Sequence, residues 1–102
     1  MYVRVEVRGG RLDLVEPDDF HRFHVRFVDA PDAAAAIEAL QPVGRLDGEV
    51  AWVRVEALRE LAGEHRTPQW EAGLARMLDF AAGHGWLSAD GREIRAHCEW
   101  GT

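Results

Sequence analysis

The chain has no lysine and no asparagine, and only one serine (Ser88), two threonines (Thr67, Thr102), one tyrosine (Tyr2) and one cysteine (Cys98). Without lysine, Schiff-base catalysis is excluded, because that chemistry needs the lysine amine. Covalent catalysis through a hydroxyl or thiol is confined to the five side chains just named. Ser88 has no glycine-flanked strand-to-helix elbow around it, so it does not read as a hydrolase nucleophile. A single cysteine cannot form an internal disulfide, in keeping with a reducing compartment. No apolar run approaches the roughly 18 residues of a membrane span. Nor is there a basic-then-apolar leader, since the chain opens on the strand-like Tyr2-Val3-Arg4-Val5. The expectation is a soluble, cytoplasmic protein with no membrane partner.

What is present begins with arginine. All 12 basic residues are arginines, the usage of a GC-rich bacterial genome, against 18 acidic residues and a net charge of −6. That balance argues against a general nucleic-acid binder, which needs a basic excess to neutralise phosphates. At 102 residues, 47% hydrophobic and 29% charged, the whole chain 1–102 reads as a single globular domain.

Residues 2–8 (YVRVEVR) alternate strictly, with Val3, Val5 and Val7 opposite Tyr2, Arg4, Glu6 and Arg8, the pattern of a half-buried strand. Gly9-Gly10 marks a turn, and residues 11–15 (RLDLV) read as the returning arm. Residues 20–28 (FHRFHVRFV) alternate again, with Phe23, Val25 and Phe27 opposite Arg22, His24 and Arg26. Asp29-Ala30-Pro31-Asp32 starts a helix through Leu40, with a stripe of Ala33, Ala36, Ile37 and Leu40. Leu46-Asp47-Gly48 reads as a turn. Residues 49–55 (EVAWVRV) read as a strand, with Ala51, Val53 and Val55 inward and Val50, Trp52 and Arg54 outward. A short helix over 56–63 follows. Thr67-Pro68, with Glu71 in the first turn, starts the longest helix, to about Ala82. Its buried stripe is Trp70, Leu74, Met77, Leu78 and Ala81. Residues 92–100 (REIRAHCEW) form a last strand, with Ile94, Ala96, Cys98 and Trp100 inward and Arg95, His97 and Glu99 outward.

This order predicts an α+β two-layer sandwich: a mainly antiparallel sheet of four to five strands with two to three helices on one face. Strands that alternate argue against a parallel sheet covered on both sides.

Such a fold leaves one sheet face open. The outward residues put Arg22, His24, Arg26, Trp52, Arg54, Arg95, His97 and Glu99 on it. Three uses fit: a solvated face, a homodimer interface, or a surface for a ligand. Trp52 favours contact of some kind, because tryptophan and arginine are typical interface anchors.

Other constellations carry less. His21 and His24 are three apart on a strand and diverge, so they do not share a metal. His24 and His97 would meet only if their strands are adjacent; with Glu6 or Glu99 they would then form a two-histidine, one-carboxylate set. Sequence does not establish that adjacency, and no metal or cofactor is assigned. Cys98 and His97 are strand neighbours pointing apart, which leaves Cys98 as a small core residue. Gly83-His84-Gly85 follows a helix instead of preceding one, so it is not a phosphate loop. No Walker, Rossmann or zinc-ribbon spacing occurs.

The reading is therefore a non-catalytic binding or protein-interaction module, forming a homodimer or taking a protein partner or an anionic small molecule. The alternative is a small acid–base enzyme, isomerase- or lyase-like, on an anionic small molecule. In it His24 or His97 is the base, Glu99 orients it, and Arg22, Arg26, Arg54 or Arg95 clamps the anion.

Overall fold

Alternating segments bury one face each, and the cheapest way to bury several together is to pair them edge to edge under a common layer of helices. The computed structural model, which describes residues 1–101, does this with six strands and three α-helices. The elements are β1 (Tyr2–Glu6), β2 (Arg11–Val15), β3 (His24–Val28), α1 (Ala33–Leu40), β4 (Gly44–Asp47), β5 (Val50–Arg54), α2 (Val55–Ala62), α3 (Pro68–Gly83) and β6 (Glu93–Gly101). A 3-10 turn, Gly63–His65, links α2 to α3. All strands join one sheet in the order β2-β1-β3-β6-β5-β4.

The helices cover one face. Val3, Val5, Val25, Phe27, Ala51, Val53, Ile94 and Ala96 are buried there against Ala36, Leu40, Leu58, Trp70, Leu74, Met77 and Ala81. Helix α1 packs on β1 and β4, α2 on β2 and β5, and α3 on β6. The side chain of Asp32 caps α1 by accepting from the Ala35 amide at 2.8 Å. Thr67 caps α3 by accepting from the Trp70 amide at 3.1 Å, with Pro68 next in the first turn.

The expectation of a mainly antiparallel, four- to five-stranded sheet is corrected in two respects. The sheet has six strands, and it is mixed: β1 pairs parallel with β3, and β3 parallel with β6. Alternation reports how many faces are covered, and strand direction leaves no mark on it. Continuous apolar runs mark parallel strands buried on both sides; these are buried on one.

Smaller corrections have local causes. Gly44 to Asp47, read in part as a turn, forms β4, the antiparallel partner of β5 across a tight turn at Gly48 with φ of 63°. A β-carbon on Gly44 would lie 2.4 Å from the Trp52 carbonyl oxygen, so glycine allows the two strands to approach. Strand β3 starts only at His24, because residues 20–23 belong to the connection that carries the chain over the end of β1. Val55 begins α2 instead of ending β5. Trp100 was expected inward; it is 55% exposed and stacks on buried Phe27 with centroids 4.4 Å apart, capping the end of the core. On α1, Ala36 and Leu40 are buried but Ile37 is exposed.

Candidate functional site

The open face takes its pattern from register. In β1, β3 and β6, Tyr2 faces His24 and His24 faces His97; one step on, Arg4 faces Arg26 and Arg26 faces Glu99. In the antiparallel half, His97 faces Val50 and Arg95 faces Trp52. The pleat puts all these side chains on the face away from the helices.

Three rings form a column across adjacent strands. Tyr2 and His24 stack with centroids 4.6 Å apart, and His24 and His97 with centroids 5.2 Å apart. Glu99 reaches both imidazoles: Oε1 lies 3.4 Å from His24 Nε2, and Oε2 lies 3.4 Å from His97 Nε2. Its Oε1 also lies 3.6 Å from a guanidinium nitrogen of Arg26. The His24 side chain is 18% exposed and that of His97 is 64% exposed. Burial pushes the His24 pKa below its ordinary value, with the Glu99 charge opposing and the charges of His97 and Arg26 assisting.

Beside this column lies a hollow of about 250 Å³, lined by Phe23, Val50, Trp86, Arg95 and His97. A smaller hollow of about 80 Å³ shares Phe23, Trp86 and Arg95 and is also lined by Arg22. The hollow exists because β3 is short. It pairs only with the second half of β6, and Trp86–Leu87 lies beside the first half, with the Arg95 amide donating to the Trp86 carbonyl at 2.7 Å. Trp86 is held from behind by His84, ring on ring at 4.6 Å, and His84 Nδ1 meets the Phe80 carbonyl at 2.9 Å.

Several arginines of the open face are already paired. Arg4 meets Glu6 and Asp13, Arg11 meets Asp13, Arg26 meets Glu99, and Arg45 meets Glu93. Among the described residues, Arg22 and Arg95 have no carboxylate within ion-pair distance.

The residues singled out from sequence thus divide. His24, Arg26, His97 and Glu99 form one cluster, and Arg95 and His97 line the hollow. Arg22 precedes β3 and lines only the smaller hollow, from the loop. Arg54 is engaged elsewhere, donating to the carbonyls of Gln41 and Pro42 just after α1. Trp52 is half-buried, donates from Nε1 to Asp47 at 3.3 Å, and carries the Arg45 guanidinium 5.7 Å from its ring centroid. Cys98 is half-buried and burial pushes its thiol pKa up, away from a reactive thiolate.

Sequence reasoning did not find the walls. Phe23 reads from alternation as core, and Trp86 follows the end of α3; only the short β3 leaves the two facing a gap. Tyr2 carried a signal: it alternates with Val3 on the outward side, where an aromatic is unusual.

No family model matches the chain, and neither a curated protein nor a solved structure does.

Proposed function

We propose that this chain is a binding module whose open sheet face takes an anionic small molecule in the hollow between Phe23 and Trp86. The observation that carries the reading is Arg95, a guanidinium without a carboxylate partner that lines a hollow with aromatic walls, with Arg22 on the smaller hollow adjoining it. Guanidinium groups bind carboxylate and phosphate through paired, charge-assisted hydrogen bonds. Aromatic walls favour a flat apolar body behind the anionic group.

Calorimetric titration with benzoate, and with neutral benzamide as control, tests this. Benzoate is expected to bind and benzamide to bind far more weakly. Arg95→Ala is expected to weaken benzoate by about tenfold or more, the scale of one charge-assisted hydrogen bond. Equal binding of the neutral control, or an Arg95→Ala variant indistinguishable from wild type, rules the reading out.

A second reading is favoured by one contact. His97 lines the same hollow and is braced by Glu99 at 3.4 Å, the arrangement of an oriented acid–base group. An acid–base enzyme of this kind loses turnover in His97→Gln while keeping anion affinity; a ligand recovered chemically unchanged from the wild-type protein leaves only the binding module.

A further inference from the structure

The parallel pairing of β3 with β6 brings together two imidazoles and a carboxylate that sequence places 73 to 75 residues apart. We propose that His24, His97 and Glu99 form a binding site for one divalent transition-metal ion on the open sheet face. This site shares His97 with the wall of the anion hollow but does not depend on an anion being bound there.

The donor atoms of the three side chains all lie within 4.8 Å of one another. Each Glu99 oxygen is 3.4 Å from the Nε2 of one histidine. Nitrogen and oxygen ligands held roughly 2.0–2.2 Å from a tetrahedral ion are about 3.3–3.5 Å apart. Each carboxylate oxygen therefore already stands at the spacing of one such edge, to His24 through Oε1 and to His97 through Oε2. To close on one ion the carboxylate has to turn and the edge between the two imidazoles has to adjust. An imidazole binds a metal in the plane of its ring, so the His24–His97 stack, tilted by 26°, must open. His97 is 64% exposed and has room to turn; His24 is held against Tyr2 and serves as the fixed ligand.

The donor set selects the class of ion. Imidazole nitrogen suits zinc, copper, nickel and cobalt, whereas calcium and magnesium demand oxygen. Three protein ligands leave a position for water or an exogenous group, as in open sites.

Arg26 supplies a test of opposite sign. Its guanidinium lies 3.6 Å from Glu99 Oε1 and passes over Gly101, so it competes with the ion for the same oxygen. Removing a ligand must weaken metal binding, whereas removing Arg26 must strengthen it.

The experiment is titration of the full chain, stripped with chelator, by Co²⁺ followed by visible absorption, with Zn²⁺ calorimetry in parallel. The expected result is one ion per chain. His24→Gln, His97→Gln and Glu99→Gln are each expected to weaken it by about tenfold or more, since even changes behind the ligands cost that much. Arg26→Leu is expected to tighten it severalfold. Absence of a cobalt band and of zinc heat overturns the proposal. So does stoichiometric binding that survives in the His24→Gln/His97→Gln double variant, because the ion then sits on other histidines. If a ligand variant fails to fold, Arg26→Leu still decides, since an affinity equal to wild type removes the competition the site requires.

Discussion

Glu71 shows how a side chain with one evident role in sequence acquires another in three dimensions. Its place in the first turn of α3 suits the helix dipole, and that much is legible in Thr67-Pro68-Gln69-Trp70-Glu71. Folding adds two guanidiniums: Arg66 Nε at 2.6 Å from one carboxylate oxygen and Arg59 Nε at 3.0 Å from the other. Arg66 first, and Arg59 second, hold the Glu71 pKa below its ordinary 4.5. In the unfolded chain the carboxyl takes up its proton at the ordinary pKa, so the pair's stabilisation is complete above about pH 4.5 and is lost as pH falls through the lowered value. Melting temperature followed from pH 6 to pH 3 is therefore expected to fall less steeply in Glu71→Gln than in wild type. Because the group is exposed, the difference should shrink in high salt. Parallel curves at low salt would show that the pair contributes nothing. The candidate site follows the same logic. Alternation alone places His24, Arg26, Trp52, Arg54, Arg95, His97 and Glu99 on one face, as found. Which of them act together is a matter of neighbours, so Arg54 and Trp52 leave the cluster for Pro42 and Asp47.

Elements were legible where periodicity is long or punctuation strong. Helix α3 has both, with Thr67 and Pro68 at one end and a buried stripe of Trp70, Leu74, Met77 and Ala81. Thr67→Ala removes the acceptor for the Trp70 amide and is expected to cost about 1 kcal/mol in denaturant unfolding; no change would mean that water replaces the cap fully. Strand β4 was the element least legible. Four residues carry too little alternation to register, and Leu46-Asp47-Gly48 looks like a turn because its end is one. Its anchor is Gly44, whose missing β-carbon lets the Trp52 carbonyl come close. Gly44→Ala has only backbone to push against, and is expected to destabilise by about 1–3 kcal/mol, the cost of overpacking. A circular-dichroism melt unchanged from wild type would show that β4 shifts freely.

At the scale of the molecule, the two central strands are β3, between β1 and β6 and parallel to both, and β6, between β3 and β5. The edges are β2 and β4. Local opening starts where backbone hydrogen bonds face water on one side. Amide hydrogen exchange is expected to be slowest in β3 and the second half of β6, and fastest among the strands in β2 and β4. Equal protection of β4 and β6 would mean that the sheet opens only as a unit. No described helix is long and apolar enough to cross a membrane. The central strands of the sheet are those that hold the two histidines and Glu99 in place on the open face.

Taken alone, the sequence determined the two faces of the central strands, where α1 and α3 begin, and that no lysine amine and no disulfide within the chain is available. These properties depend on near neighbours along the chain, through periods of two and 3.6 residues and through caps read over three or four. The tertiary structure decided the direction of β3, its pairing with β1 and β6, the gap that β3 leaves beside Arg95, and the meeting of His24 with His97 and Glu99. Those depend on strand order across a separation of up to 73 residues along the chain. Alternation is identical for either direction of a strand covered on one face, so no local pattern could have carried that choice.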